Sequence, residues 1–426
     1  MARRGQAGRI TLSMNPVIFS AAVFSVVAIG AAPAAPVVVT LNTTDGMKRG
    51  GTPYFVKGAG GDSQLPLLAG RGANSIRTWS TDGLGKTLDE AARAGLTVSA
   101  GIWLEPECSW FSYRNAEHCA RQSTRVKEQV MLHRGHPALL AWGIGNEAEG
   151  DGGNEAFWQQ LERLAIAVKE IDSAHPLFTA LAGINAGKAD GLNRLVPHLD
   201  FVGINTYGGL FGLRETLAKL KWTRPWMVTE WGPQGFWERP KGVGGMALEQ
   251  TSTEKAEMMT KAYAATIAPG NGCLGSYAFV WGWKYEATST WFGLLTHDGK
   301  TTAGVDALQQ SWTGKTPANT APSIKSISGV PNTPVAAGTT FNATTYAKDA
   351  EGDALTWSWT VLPEAGGHDA GATPPLPAAV PNTIGDSTQT QAKVKAPVKP
   401  GRYRLHVQIS DSGGHAATAN APFVVQ

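Results

Sequence analysis

The sequence predicts an α/β protein in which a (β/α)₈ TIM barrel is followed by an immunoglobulin-like β-sandwich. Between residues 51 and 314, eight short apolar runs alternate with segments of helical periodicity. No glycine-rich phosphate-binding motif follows the first run, and the residues after 314 form short β runs without helical periodicity. An open, doubly wound sheet is the alternative, but eight evenly spaced units in about 260 residues favour a closed barrel.

The eight apolar runs are the predicted strands, and the segments between them are the predicted helices. In one such segment Leu84, Leu88 and Ala91 recur at helical spacing, and in another Thr251 and Glu254 have the spacing of a capping box. The predicted strands cover residues 54–60, 74–80, 96–104, 139–147, 177–183, 200–208, 225–232 and 276–283.

The residues outside the barrel divide into four further segments. Residues 1–34 contain three arginines, no acid and an apolar block before "AAPAAP", which is typical of a secretory signal peptide, with an uncleaved anchor as the alternative. We expect a β-hairpin segment over 35–50, a linker over 315–322 and the β-sandwich over 323–426.

Charge limits the classes of partner. Removing residues 1–34 takes away three arginines and no acid, so 34 basic residues then balance 34 acidic ones. A balanced surface gives no reason to expect nucleic acid or anionic lipid as a partner. We therefore expect a secreted or periplasmic protein that does not stay on the membrane after signal cleavage and that binds a neutral partner.

The three cysteines and nine histidines indicate neither a metal centre nor a bound cofactor, because no HxxxH or CxxC spacing occurs. Cys108 and Cys119 flank one aromatic loop, and the sequence allows either a disulfide between them or two free thiols. Cys273 is predicted to be a buried free thiol. The acidic run 349–353 is interpreted as a turn, with a calcium site as the alternative.

Polar and aromatic residues stand where the predicted strands end, which is where (β/α)₈ barrels carry their functional groups. Two carboxylates lie at these predicted strand ends, Glu147 at the end of the fourth strand and Glu230 at the end of the seventh. The residues predicted to accompany them at this rim are Arg77, Trp79, Asn146, Asn205, Tyr207, Trp231, Trp281 and Trp283.

Paired carboxylates are what the cleavage of a glycosidic bond requires. One must be protonated to donate to the leaving oxygen, and the other must be ionised to attack the sugar or activate water. Arg77 and Tyr207 are candidate partners that would keep Glu230 anionic. We therefore predict Glu230 as the nucleophile and Glu147 as the acid/base.

"GNE" after the fourth strand, "TEWG" at the seventh and the arginine of "IRTWS" resemble the clan A glycoside hydrolases. That resemblance implies a retaining mechanism. It also implies that Asn146 binds the sugar 2-hydroxyl, that Tyr207 donates to the nucleophile, and that Trp281 forms the floor under the cleaved sugar. Within the clan, the barrel is similar to those of β-galactosidase and β-glucuronidase relatives and of β-1,3-glucanosyltransferases.

Two departures argue against a cellulase or a mannanase. Ala148 stands where many cellulase-type members have proline, and Asn205 where they commonly have histidine. After residue 314, "DAEGDALTWSW" and "GRYRLHVQISDSGG" resemble the polycystic-kidney-disease and cadherin-like modules of secreted bacterial enzymes.

Two other acids and the tryptophans complete the predicted surroundings. Glu149 lies in a Gly/Asp-rich loop and is predicted to be exposed to solvent. Glu286 is a candidate for contact with substrate, but a weaker one than the residues at the strand ends. Fifteen tryptophans are available, and indole faces stack on the apolar faces of sugar rings. A rim of tryptophans therefore suits an oligosaccharide cleft.

Three functions follow from this pattern. The first is a retaining glycoside hydrolase acting on a neutral β-linked oligo- or polysaccharide such as a β-glucan. The second is a transglycosylase with the same site, in which a sugar rather than water resolves the intermediate. The third is a non-catalytic carbohydrate-binding protein. The C-terminal module is expected to contact glycan or the cell surface.

Overall fold

The computed structural model describes residues 36–42, 46–364 and 374–426. The predicted signal peptide therefore lies outside the described residues. None of the helices within the described ranges has the length and apolar content needed to cross a bilayer.

Eight parallel strands close into a barrel, in the order β10, β11, β4, β5, β6, β7, β8, β9, which confirms the predicted TIM-barrel fold. Three strands precede it: β1 (Val39–Asn42), β2 (Gly46–Arg49) and β3 (Thr52–Pro53). The barrel strands are β4 (Val56–Gly60), β5 (Ser75–Arg77), β6 (Thr97–Ile102), β7 (Leu139–Asn146), β8 (Leu177–Ala182), β9 (Phe201–Asn205), β10 (Trp226–Trp231) and β11 (Cys273–Ala278).

Helices follow the strands and cover the outside of the barrel. They are α1 (Leu65–Gly70), α2 (Leu84–Arg93), α3 (Ala116–His133), α4 (Glu155–Ile171), α5 (Ala186–Leu195), α6 (Leu213–Lys219), α7 (Ser252–Thr266) and α8 (Ala303–Thr313), with short 3₁₀ helices at Gly208–Gly212 and Val243–Gly245. The predicted capping box opens α7, because Thr251 accepts from the backbone N–H of Glu254 while the Glu254 carboxylate accepts from that of Thr251.

The eighth strand differs from its prediction. β11 begins at Cys273 and ends at Ala278, whereas the apolar run predicted a strand over residues 276–283. The run continues past the strand because Phe279 and Val280 are buried in a separate aromatic cluster beyond it. Phe279, and not Trp281, is therefore the first residue after the last barrel strand.

The inside of the barrel alternates large side chains with glycines. The Tyr277 hydroxyl lies 2.8 Å from the Ser75 hydroxyl and 2.6 Å from that of Ser99. A Cβ at Gly58 would come within 2.6 Å of the Tyr277 ring, and one at Gly143 within 2.6 Å of Phe178. Glycine at these two positions leaves the volume that the aromatic rings fill.

The short antiparallel sheet β1–β2–β3 packs against one end of the barrel core. Val39 and Met47 from this sheet join Leu140, Phe201 and Leu274 in one buried cluster. These barrel residues lie at or near the starts of their strands, so the sheet closes the end opposite to the strand ends that carry the polar groups.

The C-terminal part consists of short antiparallel sheets around a second core. Its strands are β12 (Ser323–Ile324), β13 (Thr340–Thr344), β14 (Ala347–Lys348), β15 (Thr356–Pro363), β16 (Ile384–Ser387), β17 (Gln391–Lys395), β18 (Gly401–Ser410) and β19 (Ala416–Val425). They pair as β12–β14, β13–β17–β16 and β15–β18–β19, and Leu405 and Phe423 are among the core residues. The immunoglobulin-like assignment and the domain boundaries stay predictions.

A buried polar network joins the barrel to the C-terminal part. The Glu249 carboxylate accepts from the Lys255 ammonium at 2.5 Å, from the hydroxyls of Thr288 and Thr290, and from the Asn420 amide of β19. Burial alone would raise the pKa of Glu249, but the Lys255 charge and these donors outweigh it and lower the pKa to about 2. This network is the junction between the two parts of the chain, and the ionised Glu249 carboxylate binds groups from both.

All three cysteines are free thiols. Cys119 is buried and donates from its sulfur to the backbone carbonyl of Tyr113 at 3.2 Å, so this structure has no Cys108–Cys119 disulfide. Cys273 is buried and free as predicted, although it belongs to β11 and does not precede it.

The junction generates a stability prediction. Replacing Glu249 by Gln leaves the buried Lys255 ammonium without its counter-ion, and we expect the free energy of unfolding in urea to fall by about 3–5 kcal/mol at neutral pH. Because the folded-state pKa of Glu249 is depressed, the wild-type advantage should be full above the ordinary pKa of glutamate and disappear as the pH falls towards 2.

The matched control is Glu117→Gln, whose side chain is 87% exposed beside Arg121. An exposed pair of this kind contributes about 1 kcal/mol or less. Equal effects of the two substitutions would contradict the role assigned to Glu249.

Candidate active site

The candidate site lies at the carboxyl ends of β5, β7, β9 and β10. β5 ends at Arg77, β7 at Asn146 and β9 at Asn205, while Glu230 is the penultimate residue of β10. Neighbouring parallel strands deliver their last residues to one rim, so these side chains meet although they are far apart in sequence.

The Glu230 carboxylate is held by three donors. Its Oε1 accepts from Arg77 Nη1 at 3.0 Å and from Trp79 Nε1 at 2.7 Å, and its Oε2 accepts from the Tyr207 hydroxyl at 3.0 Å. Arg77 is 2% exposed and Glu230 is 6% exposed. Glu230 therefore has one cationic partner and two neutral donors, all of which hold its carboxylate in one orientation.

Glu147 has a different environment, one that raises its pKa. The residue is exposed at the barrel mouth, but the protein atoms around its carboxyl remove water from it, and this desolvation raises its pKa. The negative charge of Glu230 raises the pKa further, whereas the hydrogen bond from Asn205 Nδ2 to Glu147 Oε1, at 2.8 Å, opposes the shift. The two glutamates therefore differ in their surroundings: Glu230 is bonded to a cation, and Glu147 is not.

The backbone at Glu147 is also unusual. Its φ angle is +53°, in the left-handed region that L-residues other than Asn and Asp rarely occupy, and Gly145 before it has a φ of +82°. The β7–β8 register shifts between Gly143 and Asn146, which marks a bulge at the strand end. The strand therefore ends in a sharp, strained turn at the residue that carries the carboxylate.

An amide network connects the two glutamates. The Asn146 carbonyl oxygen accepts from Arg77 Nη2 at 2.6 Å and from Asn205 Nδ2 at 3.1 Å. Asn205 in turn accepts from the Thr229 hydroxyl at 2.7 Å. With its carbonyl engaged twice, Asn146 has its amide N–H₂ group to offer a ligand.

The four predicted tryptophans occupy different places. Trp79 lies in the site, but its indole N–H is bound to Glu230, so it positions the carboxylate instead of presenting a free donor to a ligand. Trp283 is partly buried and lines a cavity of about 550 Å³ between the loop after β11 and the C-terminal part.

The substrate-binding prediction for Trp231 and Trp281 is wrong. Trp231 is 0% exposed and packs against Tyr263 of α7, because side chains alternate along a strand and Glu230 takes the inward direction. Trp281 is 3% exposed and donates from its indole to the Ser63 carbonyl, since the last strand ends three residues before it.

Other aromatic side chains surround Glu230 in their place. Phe279 makes edge-to-face contacts with Trp79 at 5.7 Å and with Tyr207 at 5.9 Å between ring centroids. Trp237, from the loop after β10, packs edge-to-face against Tyr207 at 5.4 Å and remains 54% exposed. Sequence analysis missed Phe279 because the apolar run placed the strand end too late, and Trp237 lies in a loop that no strand-end pattern marks.

The neighbouring acids have defined partners. Glu149 was predicted to be solvated, which is wrong: it is 3% exposed and forms a 2.7 Å ion pair with Lys188 of α5. Glu286, in the loop after β11, forms a 2.6 Å ion pair with Lys284.

Among the described residues, one group has the composition of a metal site. Carboxylate oxygens of Asp349, Asp353 and Asp411 lie within 4.8 Å of one another in the C-terminal part. Glu351 is not a member, since its carboxylate accepts from the Thr320 hydroxyl. Asp411 is bound to His415, so the group is built into the C-terminal sheets and does not belong to the barrel mouth.

Solved structures resemble this fold at low sequence identity, and no protein-family profile matches the sequence. A β-glucuronidase of Dictyoglomus thermophilum has 16% identity and a TM-score of 0.52, over 66% of this chain and 54% of its own. An FMN-binding β-glucuronidase from Facaelibacterium prausnitzii L2-6 has 16% identity and a TM-score of 0.52, over 92% and 58%.

A third structure is a family 2 β-galacturonidase from Eisenbergiella tayi with bound galacturonate, at 17% identity and a TM-score of 0.51, over 66% of this chain and 54% of its own. This chain thus spans about half of the length of the structures it matches. The likeness supports the barrel fold.

The Asn205–Glu147 hydrogen bond generates a titration prediction. Replacing Asn205 by Ala removes the donor that stabilises the Glu147 anion, so the pKa of Glu147 should rise above its wild-type value. The ¹³C chemical shift of the Glu147 carboxyl, followed with pH, measures it. Thr229→Val removes only the hydroxyl bound to Asn205 and should raise this pKa less; a fall in either variant would contradict the network.

Proposed function

We propose that this protein is a glycoside hydrolase that cleaves O-glycosidic bonds of a neutral β-linked glycan by a retaining double displacement. The observation that carries the proposal is the contrast between two glutamates at one rim. Glu230 accepts three hydrogen bonds, one of them from a buried arginine, while desolvation and the Glu230 charge raise the pKa of Glu147. An ionised nucleophile beside a protonated acid is the combination that this chemistry needs.

The chemistry assigns one role to each glutamate. Glu147 donates its proton to the glycosidic oxygen as the bond to the anomeric carbon breaks. Glu230 attacks that carbon and forms a covalent glycosyl-enzyme, and the leaving sugar departs as an alcohol. Glu147, now ionised, takes a proton from water, which displaces Glu230 and restores both groups.

The surrounding residues supply orientation. Arg77 and Tyr207 hold the nucleophile from two sides, and Asn205 holds the acid. Asn146 presents its amide next to both and is suited to a sugar hydroxyl beside the reacting carbon, in line with the 2-hydroxyl role predicted from its family resemblance.

A specific observation favours transglycosylation as the second candidate. Trp237 is 54% exposed while it packs on Tyr207, so about half of its side chain is open to solvent next to a donor to the nucleophile. An indole exposed in this way can stack on the sugar that occupies the leaving-group side, and an acceptor sugar held there would compete with water for the glycosyl-enzyme.

We also propose that the protein is exported to the periplasm or the medium, as the composition of residues 1–34 indicates. There the C-terminal part, proposed to be an immunoglobulin-like module, would contact polysaccharide or the cell surface.

The first test incubates the purified protein with β-glucans, galactans, mannans and xylans, and follows the products by mass spectrometry. We expect shortened products that are absent with Glu230→Gln, and the β anomer as the first product by ¹H NMR. Products longer than the input would select transglycosylation. Unaltered activity of Glu230→Gln, or an α anomer as the first product, would contradict the double displacement.

Glu147→Gln should lower kcat by about 10²- to 10⁴-fold on natural glycans, because the leaving oxygen loses its proton donor. The loss should be smaller on aryl glycosides with acidic leaving groups, which need little protonation. The matched control is Glu107→Gln: Glu107 is an exposed residue between β6 and α3 whose carboxylate accepts from the backbone N–H of Tyr113, and its replacement should leave kcat unchanged. Equal losses on both substrate classes would contradict the acid role.

Trp237→Ala should raise KM for oligosaccharides about tenfold, the equivalent of about 1.4 kcal/mol, while KM for aryl monosaccharides stays the same. The matched control is Trp110→Ala: Trp110 is 66% exposed but packs on Phe111, away from Tyr207. A tenfold rise for both substrate classes in Trp237→Ala would show a structural effect instead of a stacking site.

A further inference from the structure

The loop after β11 places an ion pair close to the nucleophile. Lys284 Nζ lies 2.6 Å from Glu286 Oε2, and the two side chains are 15% and 18% exposed. The same Nζ lies 4.9 Å from the centroid of the Phe279 ring. Since Phe279 contacts both Trp79 and Tyr207, two of the donors to Glu230, the pair lies one aromatic ring away from the nucleophile.

Glu286 is held in place by its own loop and by the junction. Its backbone exchanges two hydrogen bonds with Thr288 around Ala287, which has a φ of +59°. The Thr288 hydroxyl donates to Glu249, the carboxylate that joins the barrel to the C-terminal part. The ion pair is therefore presented on a fixed turn.

Charge around the nucleophile is balanced group by group. Arg77 is bonded to Glu230 and Lys284 to Glu286, so each of these two cations already has a carboxylate partner. With Glu147 protonated, these five groups carry no net charge. A sugar carboxylate bound among them would be a buried negative charge without a partner, which is strongly unfavourable.

The hydroxyls of a neutral sugar can form hydrogen bonds with both Lys284 and Glu286. Each hydroxyl can donate to the Glu286 carboxylate and accept from the Lys284 ammonium, which has three N–H donors and uses one of them on Glu286. Hydroxyls of one sugar ring can therefore bind both members without separating the charges.

We propose that the Lys284–Glu286 pair determines substrate class at this site: it binds hydroxyls of a neutral sugar, and Glu286 excludes uronates by neutralising Lys284. This inference rests on the proposed glycosidase function and narrows it. It sets this chain apart from the β-glucuronidases and the β-galacturonidase that share its fold, whose substrates carry a carboxylate.

The test compares kcat/KM for a p-nitrophenyl β-glucoside and the matching β-glucuronide, and for the galactoside and galacturonide, in wild type and Glu286→Gln. Wild type should prefer the neutral sugar of each pair. Glu286→Gln keeps the shape of the side chain but frees the Lys284 charge, so the neutral-to-uronide ratio should fall at least tenfold, mainly through a lower KM for the uronide.

Controls separate this effect from a general disturbance. Lys284→Met should lower activity on the neutral sugar without improving the uronide, and Glu286→Gln combined with Lys284→Met should lose the gain. An unchanged ratio in Glu286→Gln, or a wild type that prefers the uronide, overturns the inference while the glycosidase function stands.

If no glycoside is cleaved by wild type, the proposed function fails, and ligand-observed NMR of free glucose and glucuronate still tests the pair. Tighter binding of glucuronate to Glu286→Gln than to wild type, with glucose unaffected or weakened, supports it. Equal affinity of glucuronate for both proteins overturns it.

Discussion

The buried guanidinium of Arg77 is the interaction on which the arrangement of the barrel mouth depends. At 2% exposure this cation requires compensation, and it obtains it from the Glu230 carboxylate, the Thr229 carbonyl and the Asn146 side chain. These partners come from β10 and β7, so one side chain of β5 ties together strands on different sides of the barrel. Losing any one partner would leave buried charge or buried donors unsatisfied.

The same cation distinguishes the surroundings of the two glutamates at this rim. Arg77 compensates one negative charge, and Glu230 takes it by direct contact at 3.0 Å. Burial removes water from the Glu147 carboxyl, and the Glu230 charge beside it adds to this effect, so both raise the pKa of Glu147. The roles of the two acids thus follow from which strand places its carboxylate beside the arginine.

Sequence patterns could predict the barrel and both glutamates because the fourth and seventh apolar runs end in polar residues at the strand ends. Periodicity could also have excluded Trp231, since adjacent side chains of a strand point to opposite faces and Glu230 points inward. Phe279 could not be found this way, because "SYAFVWGW" is apolar on both sides of the real strand end. The exposure of Glu149 was predicted wrongly because its partner, Lys188, belongs to α5, which lies far from Glu149 in the sequence.

The C-terminal part contributes to this site without reaching it. Asn420 and Arg404 lie in β19 and β18; Asn420 donates to Glu249, and Arg404 donates to the Ala247 carbonyl of the loop after β10. Glu249 in turn holds Thr288 and Thr290, and the loop that they belong to supplies Phe292, which packs on Tyr207 at 5.4 Å.

A continuous set of contacts therefore runs from the C-terminal sheets to the hydroxyl that donates to the nucleophile. It consists of hydrogen bonds and aromatic packing, and the Glu249 carboxylate accepts the first of these hydrogen bonds. Through Glu249, the loop after β11 is therefore bonded to the C-terminal part as well as to the barrel. The two parts of the chain thus form one structural unit at this face.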